Sequence, residues 1–590
     1  MLLLAILFVS LSLCAAAAPR DTSPDTWVAT DGLGRSVSTG EDVRAVRKDR
    51  FVGIFYFLWL GEHGRGGPYD ISKILAQDPS AANDPKNPLW GPSMAYHHWS
   101  EPLFGYYLSG DPWVLRKHAQ MLSDAGVDTV IFDVTNHSIY QNNFMALCKV
   151  WAQVRSEGGA TPQIAFLTPF HQPTKVVRQL YDEFYSKGLY KDLWFQWKGK
   201  PLIMADPAQV DENVKEFFTF RRPMPSYFDG PSAPDQWSWL EIYPQHAFKN
   251  SAGQIEQMSV GIGQNAVAPN RLAAFSEKNT LGRSWHNGAT DTRPGAVNLG
   301  LNFSEQFEHA LEIDPEFIFV TGWNEWIAMN LPSFAGVSEP PTFVDQYTQE
   351  CSRDIEPMLG GHSDAYYYQL VDYIRRYKGA NPAPKAGGAK SITIDGRFDD
   401  WKNVQPEYLD DVFDTEHRDH PGWNPETQYT NVTGRNDFVS LKVARDAKNI
   451  YFYARTREPI TPHTDKHWMM LLLDTDCNPQ TGWIGFNFVV NRKVRDRSVT
   501  LLEQWGPDGD GDDAPRFGPW GWRSGGGVMY RVDGCEMELA IPRKALGLDS
   551  PGPLRFNFKW ADNIQSFDPV EFIINGDTAP NGRFAYRYQE

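Results

Sequence analysis

Carboxylates that directly follow short apolar runs are the residues of this chain best placed for acid–base chemistry. Glu325 ends FIFVTGWNE, Asp133 ends DTVIFD and Glu241 ends WSWLE. Two carboxyls flanking a bond, one protonated and one ionised, can release a leaving oxygen and activate water or attack directly when they stand about 5–10 Å apart. Glu325 is the first member of such a pair: Asn324 beside it could bond a sugar hydroxyl, and Trp323 and Trp326 flank them. Glu241, in aromatic surroundings that would desolvate it, suits the acid. Asp133 is the other candidate partner and Glu101 a third. Each also has a plain structural use, because a carboxylate at a strand end can cap the next helix or pair with an arginine.

The polar residues around these carboxylates suit a sugar. Loop AYHHWSEP carries His97, His98, Trp99 and Glu101; Asn136 and His171 follow two further apolar runs, and RSWHNG carries Trp285 and His286. A pyranose packs its C–H face on an aromatic ring while its hydroxyls seek planar polar groups. The chain is 14% aromatic, with 21 Trp, enough to fill a core and also to line a cleft. Adjacent histidines lack the spacing of familiar zinc motifs and no HExxH occurs, so no catalytic metal and no required cofactor are expected. Asp508, Asp510, Asp512 and Asp513 in PDGDGDDAPRF, or Asp474 and Asp476, could hold a structural calcium in the C-terminal region, although the terminal Glu of an EF-hand is missing. An exposed acidic turn is the alternative.

Positioning those residues requires buried strands joined by helices. Eight strand candidates occur: 51–60, 128–136, 163–170, 201–206, 217–228, 239–243, 257–264 and 316–323, with helical spacing over 111–125 and 303–311. They imply an α/β domain over residues 19–378, a (β/α)8 TIM-type barrel whose functional residues lie at the carboxyl ends of the strands. GANPAPKAGGAK, residues 379–390, reads as a linker. Beyond it, residues 391–590 alternate in strand fashion between Asp, Gly and Pro turns, as in an all-β sandwich.

A length of 590 residues suits at least two domains, and the net charge of -17 excludes nucleic acid or an anionic membrane as the main partner. Residues 1–18 have the apolar run and small-residue cluster of an export leader, without a basic start, and no later stretch is long enough to span a bilayer. A secreted or periplasmic protein is therefore expected, its oligomeric state open. Cys148, Cys351, Cys477 and Cys535 permit one disulfide in each half or remain free thiols.

Asn324-Glu325-Trp326 at the end of the last barrel strand resembles the NEW segment of family 71/99-like glycoside hydrolases, and the opening FVGIFYFLW strand is similar in kind. The resemblance implies that Glu325 is a catalytic carboxylate, the base that activates the sugar 2-hydroxyl in family 99. There the motif continues His-Glu-Gly and supplies the second catalytic Glu; here Ala328 stands in its place. The Ile394-Asp395-Gly396 opening, the LLLDTD…TGW segment and YRVDGCEMELAIP resemble a family 9 carbohydrate-binding module. Together these readings point to a glycoside hydrolase acting on a polysaccharide or glycan, with Glu241 or Asp133 as partner to Glu325. A non-catalytic glycan-binding protein and a polysaccharide lyase are the competing classes.

Overall fold

The computed structural model describes residues 20–62, 66–338, 341–507, 509 and 520–590. Residues 1–18 and the acidic run at Asp508, Asp510, Asp512 and Asp513 lie outside the described residues.

Eight segments form strands β1 (Phe51–Tyr56), β2 (Thr129–Asp133), β3 (Gln163–Leu167), β4 (Lys200–Met204), β5 (Thr219–Met224), β6 (Gln236–Ser238), β7 (Ile255–Gly261) and β8 (Phe317–Thr321). They lie side by side in the order β7-β8-β1-β2-β3-β4-β5-β6, and every neighbouring pair is parallel. Burial on both faces explains why most of them read as near-continuous apolar runs. Glycine is required at position 53 of β1, because a Cβ there would stand 2.6 Å from the Phe317 ring of β8.

Strands β6 and β7 end the row and share no ladder among the described residues. The Gln257 side chain joins them instead: the Ser238 N–H donates to Gln257 Oε1 at 3.0 Å, and Gln257 Nε2 donates to the Ser238 carbonyl at 2.9 Å. An amide side chain offers the same donor and acceptor as a peptide, so it satisfies the buried backbone that a ladder would have served. The parallel sheet is thereby nearly closed.

Helices α1 (Pro112–Asp124), α2 (Gln141–Ser156) and α3 (Thr174–Leu180) follow β1, β2 and β3, while α4 (Leu301–Ile313) precedes β8 and α5 (Ala365–Lys378) follows it. No helix links β5 to β6 or β6 to β7 among the described residues. The helical layer of a full (β/α)8 alternation is thus incomplete, because the apolar residues there, Tyr227 and Trp239 among them, face the mouth of the sheet. The strand expected at 239–243 is displaced to Gln236–Ser238 for the same reason. Strand β1 stops at Tyr56 rather than at residue 60, since Phe57 leaves the ladder to bond the Asn324 side chain.

Strand β9 (Ile327–Leu331) leaves the cleft antiparallel to Tyr96–His98. The C-terminal region is one 11-stranded sheet made of β10 (Glu407–Leu409), β11 (Phe438–Arg445), β12 (Asn449–Thr456), β13 (Met470–Asp474), β14 (Phe488–Val494), β15 (Val499–Pro507), β16 (Trp520–Asp533), β17 (Glu536–Pro542), β18 (Arg555–Asp562), β19 (Asp577–Ala579) and β20 (Tyr586–Gln589). The order is β10-β11-β12-β17-β16-β15-β14-β13-β18-β19, with β20 also on β18. Its ends fold face to face, bringing Phe452 of β12 within 6.0 Å of Phe556 and 5.9 Å of Phe558 on β18. The sandwich expected from the alternation is a single curled sheet. All four described cysteines are free.

The two halves share one apolar core. Trp27 packs on Phe584 at 5.4 Å, and Trp423, beside the hairpin strand Arg418–Pro421, packs on His98 at 5.2 Å. Asp111 connects the halves with both oxygens: Oδ1 accepts the Trp113 N–H at 3.1 Å to cap α1, and Oδ2 accepts Arg418 Nε at 2.8 Å. Both side chains are buried. Removing one partner of such a pair strands the other charge, at a cost of about 3–5 kcal/mol. Asp111→Ala should destabilise by about that amount and by more than Arg418→Ala, which keeps the cap. Equal losses for the two variants in chemical denaturation would contradict the double role of Asp111.

Candidate active site

A cleft of about 290 Å³ opens at the carboxyl ends of the parallel strands. Phe55, Trp59, Phe170, Tyr227 and Trp239 form apolar walls, and Asp133, Asn136, Asn265, Glu325 and Asp345 reach into it. The structure therefore brings together three of the residues expected at the site, Glu325, Asp133 and Asn136.

Glu325 is placed by its neighbours. Asn324 turns back to β1, where its Oδ1 accepts the Phe57 N–H at 2.8 Å and its Nδ2 donates to the Phe57 carbonyl at 3.3 Å. The Trp326 indole donates to Glu356 Oε2 at 2.5 Å. With both flanking side chains held in the core, Glu325 is the member of the triplet that faces the cleft. Trp323 packs against His118 at 5.5 Å and does not line the cleft.

Glu325 meets Arg353, whose Nη2 lies 3.1 Å from Glu325 Oε2 and 3.4 Å from Asp345 Oδ1. Arg353 Nη1 donates to Asn265 Oδ1 at 3.1 Å, and the Tyr227 hydroxyl donates to the same oxygen at 3.0 Å. The guanidinium lies near the Trp239 and Phe275 rings, 5.8 and 5.4 Å from their centroids. Burial opposes its charge, but the Glu325 and Asp345 carboxyls keep it protonated. Burial raises Glu325 well above the ordinary glutamate range; Arg353 opposes the rise, while Asp345 and Asp133 add to it. Burial also raises Asp345, Arg353 opposes this, and 42% of that side chain still meets solvent in the cleft. Asp133, raised by burial, accepts the Thr135 N–H at 3.0 Å.

Other residues considered from the sequence lie elsewhere. Glu241 is fully buried and both its oxygens serve His246, accepting its backbone N–H at 2.8 Å and meeting its Nδ1 at 3.0 Å. Its carboxyl does not line the cleft. His97 and His98 are buried, and burial drives them down to about 4 and about 3, so both are neutral near pH 7. Ala328 pairs with His97 in the β9 ladder and is 2% exposed, which places it in packed strand. The Trp99 indole donates to Asp354 Oδ2 at 2.7 Å, and Glu101 pairs with Lys73 at 2.8 Å. His171 is exposed and outside the cleft lining; Trp285 and His286 sit half-buried on a separate hairpin. Asp474 Oδ2 accepts Asn557 Nδ2 at 2.7 Å.

Sequence reasoning missed Arg353, Asp345, Tyr227 and Asn265. None ends a long apolar run. The signal that existed was the density of charge in CSRDIEP, residues 351–357, in which Arg353, Asp354 and Glu356 are all buried. This segment lies along the last strand end: Ile355 N–H bonds the Gly322 carbonyl at 3.2 Å and Glu356 N–H the Trp323 carbonyl at 3.0 Å. Glu356 also meets His118 Nε2 at 2.7 Å and accepts the Tyr107 hydroxyl at 2.8 Å.

No protein-family model matches this chain, and no curated protein sequence matches it. Among solved structures it is similar to a GH99 endo-alpha-mannosidase from Bacteroides thetaiotaomicron, with 16% identity over 57% of this chain and 99% of that chain at a TM-score of 0.34. A complex of that GH99 endo-alpha-mannosidase with bis-tris-propane gives 14% identity, 56% and 97% coverage and a TM-score of 0.33. A glycoside hydrolase-like protein gives 12% identity, 57% and 96% coverage and a TM-score of 0.30.

The raised Glu325 carboxyl has a consequence for folding. The native chain keeps that proton at pH values where the unfolded chain has released it, so the group's contribution to stability falls as pH climbs above the ordinary value of 4.5. Below that value both states are protonated and the penalty vanishes. Glu325→Gln carries no such penalty, so the stability of the variant relative to the parent should rise from pH 4.5 towards neutrality. Denaturant titrations at several pH values check this, and parallel pH profiles would show that Glu325 ionises freely.

Proposed function

We propose that this chain is a glycoside hydrolase built on a (β/α)8-type barrel, with Glu325 as proton donor and Asp345 as its ionised partner. The observation that carries the reading is the shared nitrogen of Arg353, 3.1 Å from one carboxylate and 3.4 Å from the other. Two oxygens that meet one nitrogen are separated by no more than the sum of those distances, close enough for the two carboxyls to flank a single bond. One guanidinium balances one anion, so the second carboxyl is driven to hold its proton. The fully enclosed Glu325 is the better holder, and the wetter Asp345 the better base.

In this reading a sugar enters between Trp59 and Trp239, C–H face to ring. Glu325 protonates the departing oxygen, and Asp345 activates water or attacks the anomeric carbon. Asp133 and Asn136, which also line the cleft, hold ring hydroxyls. The curled C-terminal sheet is read as a glycan-holding region and residues 1–18 as an export leader, so the substrate is a polysaccharide or glycan outside the cytoplasm. Among the described residues no helix is long and apolar enough to cross a membrane.

Screening the purified chain on a glycan panel, with product NMR, identifies a substrate on which variants can be compared. Glu325→Gln and Asp345→Asn should each lower kcat by about 10²–10⁴-fold with substrate binding retained, whereas Asp133→Asn should act mainly on KM. Near-parent turnover by Glu325→Gln would remove that residue from the pair. Binding without any product from the parent chain would favour a capture protein, and an unsaturated product absorbing in the near ultraviolet would identify a lyase.

A further inference from the structure

A second group of acids lies away from the cleft, where the C-terminal sheet meets the barrel. Asp414 follows β10, Asp437 immediately precedes β11 and Asp577 opens β19. All three are buried, and one oxygen from each lies within 4.8 Å of the others. Their bonding does not use all their acceptors. Asp414 Oδ2 takes Gln120 Nε2 from α1 at 3.0 Å, Asp437 Oδ2 takes the Phe413 N–H at 2.9 Å and Arg457 Nε at 2.8 Å, and Asp577 Oδ2 takes the Phe438 N–H at 2.6 Å. Asp414 Oδ1 and Asp437 Oδ1 are buried without a hydrogen-bond partner among the described residues.

An independent observation lies beside them. Asp410 is fully buried and neither of its oxygens has a partner among the described residues. The charges that act on it most strongly are those of Asp577, Asp414 and Asp411. A buried acid left bare beside other acids is costly unless a cation completes the group. The nearby cations are turned elsewhere: Lys559 Nζ donates to the Pro580 and Phe584 carbonyls, and Arg20 Nη2 to the Asp410 and Val439 carbonyls. Burial lowers Lys559 to about 7, which weakens its charge near neutral pH. Only Arg457 pairs with a member of the trio among the described residues.

We propose that Asp414, Asp437 and Asp577 form a calcium-binding site, with Asp410 as a further ligand or close charge partner, at the junction of the barrel and the C-terminal sheet. Donors that are all carboxylate oxygens select a hard cation, and a spread of up to 4.8 Å is twice the roughly 2.4 Å length of a calcium–oxygen bond. Magnesium demands near-ideal octahedral geometry and usually keeps several waters, which a buried group of side-chain carboxylates suits less well. Asp437 also lines an open cavity of about 420 Å³, through which an ion can reach the group. Bound there, the ion joins three segments of the sheet to Gln120 of α1.

The test uses the full chain dialysed against EDTA and then supplied with calcium chloride or magnesium chloride. Calcium should raise Tm and be retained on gel filtration, and magnesium at equal concentration should do so less. The double variant Asp414→Asn/Asp577→Asn should bind calcium at least about tenfold more weakly and lose the Tm response, while Asp510→Asn/Asp512→Asn should keep both. No retained calcium and no shift in the parent chain overturns the proposal. So does a response that survives in the first variant or disappears in the second. If the first variant does not fold, calcium retention and the melting response in the parent and in Asp510→Asn/Asp512→Asn decide the matter.

Discussion

The cleft is organised around the charge of Arg353. Its guanidinium is buried near Trp239 and Phe275, and its nitrogens reach Glu325, Asp345 and Asn265. A buried arginine cannot shed its proton, so its surroundings must supply negative charge. Two carboxyls facing one cation leave one negative charge uncompensated, which favours a proton on one of the two. Tyr227, by donating to Asn265, orients the amide oxygen that receives the other end of the fork.

A buried charge is useful only if its position is fixed, and here the 351–357 segment supplies the fixing. It runs beside residues 322–323 through backbone bonds, while Trp99, Tyr107, His118 and Trp326 converge on Asp354 and Glu356. Burial pushes the Asp354 carboxyl up to about 8, so it can be neutral where it receives the Trp99 indole. The aromatic richness of this chain therefore serves two ends: some indoles line the cleft, and others donate to the acids beneath it. Removing the Trp99 indole would leave the buried Asp354 carboxyl without that donor, which costs about 1–3 kcal/mol even without contact with any substrate.

Much of the barrel was legible because parallel strands buried on both faces must be written as apolar runs. Seven of the eight expected segments contain or overlap the observed strand, whereas Trp239–Tyr243 only adjoins β6, because Trp239 turns to the cleft. Glu325 and Asp133 were legible for the same reason, as polar residues at the ends of such runs. Glu241 satisfied that rule equally well, yet local geometry gives both its oxygens to His246. Asn324 and the two adjacent histidines have side chains suited to sugars, but their partners, Phe57 in one case and Tyr69, Tyr106 and Trp423 in the other, are remote in sequence. Arg353 and Asp345 were hidden because they come from irregular chain, whose periodicity carries no information about direction.

The C-terminal region is more than an appendage to this arrangement. Its hairpin packs Trp423 on His98, Tyr429 supplies its hydroxyl to the Tyr106 N–H, and Arg418 closes on the N-cap of α1. The loop that carries His97 and His98 is in turn the ladder partner of β9, which begins directly after the Asn324-Glu325-Trp326 triplet. A continuous path of packed side chains and backbone bonds thus runs from the C-terminal hairpin to Glu325. Packed interiors transmit strain because they have little free volume in which to relax. The hairpin therefore bears on the position of the cleft acid even though it contributes no residue to the cleft lining.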